Sequence, residues 1–502
     1  MKKRLLSMFL FVVVIAMTST GIAQSPAARA RTIVTTDGEV DDQDSFIRLL
    51  LYSNEFNLEG LIYSSSQWHY KGDGKRTPFT SKMKSTKERY GSRTNLRWPG
   101  TTWMQQLIGK YDSVYANLLQ HDPGFPTAKY LNSIIRVGNI NFEGDMSGDT
   151  EGSDFIKKSL LDDAPGPLYL QIWGGTNTVA RALKSIEYSY KDKADWKSVY
   201  EKVTKKAILY MVLDQDATYQ DYIAKTWPAI RVMYNSDQFW CLAYPWPKFV
   251  PTPLQPSLKG PWFAENIKFN HGPLLASYYL WGDGTAIEND PEHTHGDLRE
   301  AKKFGLGQYD FISEGDSPAF FYLIDVGLRN QEDAAFGGWG GRMVPSPSNP
   351  HRREDGKHVT DYNPFTKKQD AAYPQTRWIS DLQNDFAARA DWCVKKYADA
   401  NHPPLPRLKG PHSLKLKAGS KLQLEAGASD PDGNEVSYRW WQYEEVDSYA
   451  GSIPIVHANT SQASIIVPAD AKPGDTIHLI LEATDNGSPA LTRYQRLVIT
   501  VE

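Results

Sequence analysis

An acidic turn near the start of the chain has the residue types and the spacing to do chemistry. Asp37 is followed, after three residues, by the adjacent pair Asp41 and Asp42. Carboxylates packed this closely repel one another, so they are costly unless a cation or a reaction uses them. Oxygen-rich clusters of this kind suit a hard cation such as Ca²⁺. The alternative, in which Asp41 or Asp42 caps a helix, leaves Asp37 without a role.

Two flanking segments must position this turn. Residues 31–36 are rich in β-branched side chains and predict a strand. Residues 43–52 predict a helix with one apolar side. The turn therefore follows the carboxyl end of a strand, which is the edge at which open α/β sheets bind ligands.

The same alternation of strand and helix continues along the chain. Strand-like segments at 58–66, 168–173 and 206–212 are separated by helix-like segments. This pattern predicts an α/β fold over residues 31–400, with a mostly parallel sheet flanked by helices.

The C-terminal part has a different pattern. After a proline-rich linker at 401–406, short alternating segments and turn-forming residues continue to residue 502. We expect a second domain at 407–502, an all-β immunoglobulin-like sandwich. Its aspartate-rich turns resemble the Ca²⁺ loops of cadherin-like repeats, but Asp, Asn and Gly are also good turn formers, and we prefer that interpretation. Of the adjacent Trp440 and Trp441, one should face the core and the other outward, where it could contact a glycan.

The composition and the N-terminal residues limit the classes of partner and the cellular locations that we expect. The chain has 502 residues, a formal net charge of -3 and no large basic block, which argues against nucleic acid and anionic membranes. Three basic residues, an apolar run at 5–17 and small residues up to Ala23 predict a signal peptide over 1–23. The protein should therefore be secreted or periplasmic, and no segment is long enough for a membrane span. Cys241 and Cys393 either pair in an oxidising compartment or remain as buried thiols.

Four segments, taken in order, resemble the signatures of nucleoside hydrolases. They are the acidic turn, a glycine-containing turn that ends in Thr-Asn, a Glu-Asn segment and a late segment with the last aspartate. They lie at residues 37–42, 174–177, 262–266 and 314–318. The layout is similar to a secreted bacterial branch, often described as cellulose-binding, in which a nucleoside hydrolase-like domain precedes an immunoglobulin-like domain.

The resemblance implies a Ca²⁺ site that also grips a sugar. The implied metal ligands are Asp37, Asp42, Asp316 and the backbone carbonyl of Thr176. Asp37 would also be the catalytic general base that takes a proton from the attacking water, and the reaction would pass through an oxocarbenium-like state. Asp41 would hydrogen-bond a sugar diol.

The other substrate contacts are assigned by similarity or by position. Glu265, Asn266 and Asn177 would hold further hydroxyl groups. Trp68 and His69 follow the second predicted strand at the same edge of the sheet. An aromatic face there suits stacking on a sugar ring, and a histidine can act as an acid near neutral pH. Core packing or a structural role is the alternative for both.

The chain departs from the family pattern at three places. Thr35 stands where a typical member has Asp, Gly174-Gly175 replaces the Pro-Leu before Thr-Asn, and Gly315 stands where a His precedes the last Asp. Because that His helps the base to leave in some members, purine and pyrimidine nucleosides are doubtful substrates. Glu314 could be a replacement acid, with an exposed loop residue as the alternative.

The leading hypothesis is a secreted Ca²⁺-dependent glycosidase that hydrolyses an N- or O-glycosyl bond in a carbohydrate or glycoside. One alternative is a non-catalytic protein that binds a cellulose-like glycan through a vestigial hydrolase site. Another is a periplasmic nucleoside hydrolase. A homo-oligomer is a further expectation, because related nucleoside hydrolases are oligomers.

Overall fold

The computed structural model describes residues 29–502, so the predicted signal peptide lies outside the described residues. Most of the molecule before residue 400 is built on an eight-stranded sheet, with two short hairpins beside it. The strands of this region are β1 (Arg31–Thr36), β2 (Asn57–Tyr63), β3 (Phe79–Thr80), β4 (Ser92–Arg93), β5 (Ile135–Val137), β6 (Leu168–Ile172), β7 (Ala207–Val212), β8 (Arg231–Asn235), β9 (Val344–Pro345), β10 (Arg352–Glu354), β11 (Asp361–Asn363) and β12 (Lys368–Asp370).

The large sheet is mostly parallel. Its strand order is β5-β2-β1-β6-β7-β8-β10-β9. Each neighbouring pair in the described residues runs parallel except β9 and β10, which are antiparallel. The predicted α/β class with a mostly parallel sheet is therefore confirmed.

Helices cover both faces of this sheet. In chain order they are α1 (Val40–Leu51), α2 (Lys84–Tyr90), α3 (Trp103–His121), α4 (Ala128–Ser133), α5 (Glu151–Leu161), α6 (Asn177–Tyr190), α7 (Trp196–Lys206), α8 (Ala224–Thr226), α9 (Gly260–Phe263), α10 (Gly272–Leu275), α11 (Leu298–Lys303), α12 (Pro318–Phe321), α13 (Tyr373–Thr376) and α14 (Ile379–Trp392).

Strand β1 shows how the two faces are filled, since successive side chains of a strand point to opposite faces. Ile33 packs in one apolar cluster with Leu183 of α6, whereas Val34 belongs to another cluster with Phe46 of α1. Because both faces are covered, apolar side chains occur along the whole strand rather than at alternate positions.

The carboxyl ends of β1, β2 and β6 meet at one edge of the sheet. There the backbone amide of Ser64 donates to the carbonyl of Thr36, and the amide of Trp173 donates to that of Thr35. Gly38 closes the turn after β1 with a φ of +80, and a Cβ at this position would lie 2.7 Å from the Trp103 indole nitrogen. A residue with a side chain would therefore strain the acidic turn, which is fixed at this edge.

The region after residue 400 is all-β, as predicted. Its strands are β13 (Leu405–Leu408), β14 (Ser413–Leu416), β15 (Lys421–Ser429), β16 (Val436–Gln442), β17 (Gln462–Ile466), β18 (Thr476–Asp485) and β19 (Thr492–Val501). They form a three-stranded sheet, β13-β15-β17, and a four-stranded sheet, β14-β19-β18-β16. Apolar side chains of both sheets, among them Trp440 and Ile465, form one cluster. The immunoglobulin-like classification of this region stays a prediction.

The four-stranded sheet packs against the larger part of the molecule. Tyr443 and Tyr494 belong to the same apolar cluster as Trp378, and the rings of Trp378 and Tyr494 meet edge to face at 5.2 Å. Asn401 and His402 are buried, so the predicted linker is packed into this joint. The division into domains at 31–400 and 407–502 stays a prediction.

Two further expectations concern the cysteines and a membrane span. Cys241 and Cys393 are free, buried thiols, and burial raises the pKa of Cys241 to about 12. The described part of the chain has no helix that combines the length and apolar character needed to cross a membrane.

Candidate functional site

A cavity of about 230 Å³ opens at the edge of the sheet where the acidic turn lies. We call it the sheet-edge cavity. Carboxylates, aromatic rings and two arginines line it, namely Asp41, Asp42, Asp316, Glu39, Trp68, Trp173, Trp240, Tyr244, Arg89 and Arg97. It therefore combines an acidic floor with flat apolar walls.

Three of these carboxylates form a compact acidic cluster. One oxygen each of Asp41, Asp42 and Asp316 lie within 4.8 Å of one another. Burial raises the pKa of each carboxyl well above its usual value, and repulsion from neighbouring carboxylates raises it further. One oxygen of Asp41 is buried without a hydrogen-bond partner. Negative charge is therefore unbalanced at this point.

The chemistry of the cluster fits a hard divalent cation. Carboxylate oxygens are the ligands that Ca²⁺ prefers, and a cation would relieve both the repulsion and the unpartnered oxygen. Helix capping explains it less well, because helix α1 has no side-chain capping hydrogen bond. Asp42 instead accepts a hydrogen bond from the hydroxyl of Thr36.

Asp37 lies beside this cluster but is not one of its three members. Its carboxylate is buried and has one oxygen without a hydrogen-bond partner. The Nδ1 atom of His69 lies 3.7 Å from Asp37 Oδ2. Burial favours the protonated acid, but His69, Ser66 and Asp42 together outweigh it, so the pKa of Asp37 is lowered. This direction favours the ionised form that a base requires; the roles of Asp37 as base and as metal ligand stay predictions.

His69 is buried among carboxylates. Its Nε2 atom lies 3.8 Å from Asp290, and its Nδ1 atom lies 3.8 Å from Glu39. Burial disfavours the charged ring, but Asp290, Asp37 and Glu39 together raise the pKa of His69 to about 9. The side chain is only 1% exposed and does not line the sheet-edge cavity. His69 therefore lies near the carboxylates on the side of the protein interior.

Sequence reasoning missed a second group around the cavity. Arg97 pairs with Asp290 at 2.7 Å, and Tyr244 donates its hydroxyl to Glu39 at 2.9 Å. Burial raises the pKa of Tyr244 well above its usual value, and the nearby carboxylates add to this effect. Glu39 could have been found, because it lies within the acidic turn itself. The other residues stand in loops that only the fold brings here.

The Thr-Asn turn braces the site. A Cβ at Gly174 would lie 3.0 Å from the Asp37 carboxyl carbon, so this turn packs directly on Asp37. Thr176 donates its hydroxyl to Asp216 at 3.1 Å, and its carbonyl accepts the Ala180 amide at 2.8 Å. The predicted role of Thr176 as a metal ligand therefore concerns a carbonyl that already accepts one hydrogen bond.

Asn177 holds neighbouring segments together. Its side chain accepts from Ser64 at 2.8 Å and donates to Ser65 at 2.9 Å. Asn177 is completely buried and does not line the sheet-edge cavity. The structure therefore gives it contacts within the protein, and its predicted contact with substrate stays a prediction.

Glu265 and Asn266 lie outside the sheet-edge cavity. Glu265 is exposed, Asn266 donates its amide to the carbonyl of Trp262 at 2.9 Å, and neither lines the cavity. Trp68, in contrast, lies in the cavity wall as expected. The segment at 262–266 resembled a sugar-binding signature, and the substrate contacts assigned to Glu265 and Asn266 stay predictions.

Residues 314–318 bear on two expectations, the position of Glu314 and the presence of Gly315 in place of a histidine. Glu314 is completely buried and pairs with Arg48 at 2.7 Å, so it is neither an exposed loop residue nor an acid that faces the cavity. Gly315 does line the cavity. A Cβ there would lie 3.1 Å from Asp41 Oδ2 and 3.5 Å from Phe239. A side chain at this position would therefore make a tight contact with the Asp41 carboxylate and an ordinary contact with Phe239.

A mostly parallel α/β sheet with an acidic turn at its carboxyl edge is the arrangement that the resemblance to nucleoside hydrolases predicts. A family model described as cellulose-binding Sde182, nucleoside hydrolase-like domain, matches residues 31–343, and the chain belongs to this family. A second model, described as cellulose-binding protein Sde0182, C-terminal domain, matches residues 421–501.

A solved structure agrees with this assignment. A nucleoside hydrolase-related hypothetical protein from Saccharophagus degradans, described as associated with carbohydrate metabolism, is 26% identical with a TM-score of 0.70. The match covers 95% of this chain and 100% of that one. A PKD domain from KIAA 1837 protein is 17% identical, and the match covers 19% of this chain and 86% of that one. Its TM-score is 0.15, and we base no assignment on it. No curated protein matches the chain.

Proposed function

We propose that this protein is a secreted, Ca²⁺-dependent glycosidase that hydrolyses an N- or O-glycosyl bond in a carbohydrate or glycoside. The observation that carries the proposal is the acidic cluster of Asp41, Asp42 and Asp316, whose carboxylates pair with no arginine or lysine among residues 29–502, on the floor of an aromatic cavity. Export is part of the proposal and rests on the predicted signal peptide.

The acidic cluster would hold the cation. Asp42 and Asp316 would be ligands through their carboxylates, and Asp41 would share its oxygens between the cation and a sugar diol. Through its positive charge, the cation would bind vicinal hydroxyl groups of the sugar. Asp37, whose pKa is lowered by His69, Ser66 and Asp42, would take a proton from the attacking water.

The walls of the cavity suit a sugar. Trp68, Trp173 and Trp240 line it, and aromatic faces bury the apolar side of a sugar ring while leaving its hydroxyl groups to polar atoms. Arg97 and Tyr244 fix the Glu39 carboxylate in this wall. A fixed acceptor at that position can orient a further hydroxyl group of the substrate.

A second candidate function is glycan binding without turnover. The family description names cellulose binding, and Gly315 lines the cavity where a histidine assists departure of the base in some nucleoside hydrolases. In this case the cation and the aromatic walls would hold a glycan, and Asp37 would only brace the site.

Hydrolysis assays separate the two functions. The full-length mature chain with Ca²⁺ is incubated with cello-oligosaccharides, a panel of nitrophenyl glycosides, inosine and uridine. We expect release of a sugar from at least one glycoside, and loss of that release in Asp37→Asn. The exposed Asp192 provides a matched control, Asp192→Asn, that should retain activity. Binding without any product would support the second candidate, and release of base from inosine or uridine would instead indicate a nucleoside hydrolase.

A further inference from the structure

A second cavity, of about 280 Å³, lies where the C-terminal region packs against the large domain. We call it the joint cavity. Its helical side includes Trp378, Asp381 and Asn384, and its sheet side includes Arg439, Trp441 and Glu482. None of these residues lines the sheet-edge cavity. Small-molecule sites occur preferentially at such interfaces.

The charged groups of the joint cavity are already paired within the protein. The guanidinium of Arg439 donates two hydrogen bonds to Glu482, at 2.7 and 2.8 Å. The carboxylate of Asp381 accepts from the hydroxyls of Thr492 and Tyr494. A charged ligand would have to break these contacts, so the cavity favours a neutral one.

The aromatic surface of the cavity is held in a fixed orientation. Strand β16 points Trp440 into the core and leaves Trp441 half-buried in the cavity wall. The indole N–H of Trp441 donates to Glu482 at 2.9 Å, and the guanidinium of Arg377 lies 4.7 Å from the ring. A rigid aromatic ring costs little conformational entropy on binding.

We propose that the joint cavity is a binding site for a neutral glycan, separate from the sheet-edge cavity. The ring of Trp441 would stack on a sugar face, because sugar faces are apolar. Arg439, Glu482, Asp381 and Asn384 provide both donors and acceptors for its hydroxyl groups. The proposal goes beyond hydrolysis, since it requires neither the acidic cluster nor a cation.

Titration calorimetry on the full mature chain tests this site. The probes are cellohexaose, xylohexaose and mannohexaose, used with a chelator so that the acidic cluster stays free of cations. We expect at least one probe to bind, and Trp441→Ala to weaken that binding by about tenfold or more, as for a central aromatic anchor. Glu482→Gln, which keeps the shape of the wall, should weaken the same binding.

Trp196→Ala is the matched control, because Trp196 is a half-buried tryptophan that lines neither cavity. It should leave this binding unchanged. The proposal is overturned if no probe binds, if Trp196→Ala weakens binding as much as Trp441→Ala, or if Glu482→Gln binds like the native chain. Thermal melting identifies a Trp441→Ala variant that has failed to fold, in which case Glu482→Gln decides.

Discussion

The two cavities differ in how their charges are balanced. In the sheet-edge cavity, Asp41, Asp42 and Asp316 crowd together, and no arginine or lysine pairs with them in the described residues. In the joint cavity, Arg439 and Glu482 neutralise each other. Unbalanced buried charge is tolerated where a ligand of opposite charge completes the site. The first cavity is therefore suited to a cation and the second to a neutral molecule.

The same contrast occurs within three residues of sequence. Glu314 and Asp316 are both buried, but Glu314 pairs with Arg48 and accepts from Ser317 at 2.7 Å. Asp316 contributes to the acidic cluster instead. Burial alone therefore does not mark a functional carboxylate; what distinguishes Asp316 is its place beside two further carboxylates.

The largest effect is expected from breaking the paired charges. Arg48→Met leaves the Glu314 carboxylate buried without its partner, which should destabilise the protein by about 3–5 kcal/mol. Urea unfolding followed by circular dichroism measures the change. Adding Glu314→Gln to this variant should restore part of the loss. A loss below about 1 kcal/mol would mean that the pair does not stabilise the fold.

A half-buried carboxylate outside the cluster should show the next effect, through the pH dependence of stability. Burial raises the pKa of Asp214 to about 7, and repulsion from Asp216 adds to it. Because the folded state binds this proton more tightly than the unfolded state, the native chain should lose stability as pH rises from about 4 to 7. Above that range the contribution should stay constant.

Thermal midpoints at several pH values check this expectation. Asp214→Asn should lack this component of the pH dependence and should be more stable than the native chain at pH values above the pKa of Asp214. Parallel pH curves for the two proteins would contradict the raised pKa.

Neutralising one carboxylate of the acidic cluster should increase the free energy of unfolding, whereas Arg48→Met should decrease it. The increase should be smaller than that decrease. In a chelator, Asp316→Asn removes a repelling charge and should stabilise the chain by about 1 kcal/mol, the energy of roughly one pKa unit. Urea unfolding in the chelator measures it. Destabilisation instead would show that the cluster is balanced within the protein.

The smallest effect is expected in the joint cavity. Arg439 is largely exposed, so Arg439→Gln should change the free energy of unfolding by less than about 1 kcal/mol. Urea unfolding would reveal a larger loss, which would mean that the Arg439–Glu482 pair holds the joint together rather than serving recognition.

The part of the site that could be predicted from sequence is the local part. The acidic turn could be placed because strand β1 and helix α1 are adjacent in the chain, and its spacing carries the chemistry. Asp316 could be assigned to the site through the family resemblance, because the motifs of the family occur in the same order along this chain. Glu265 and Asn266 were assigned from a segment of weaker register, and the fold places them outside the cavity.

The remaining features depend on contacts that are distant in sequence. The burial of Glu314 depends on Arg48, which is 266 residues away along the chain. The pairing of Arg97 with Asp290 spans 193 residues and joins two segments with no periodic pattern. Periodicity predicts faces of helices and strands, but it carries no information about which loops meet.

Calcium titration of the metal-free, full-length mature chain tests the central claim most directly. We predict that one Ca²⁺ binds per chain at millimolar concentrations or below, that Asp41→Asn and Asp316→Asn each abolish this binding, and that Asp192→Asn retains it. Absence of binding by the native chain, or unchanged binding in Asp41→Asn and Asp316→Asn, would contradict the assignment of the acidic cluster as a cation site.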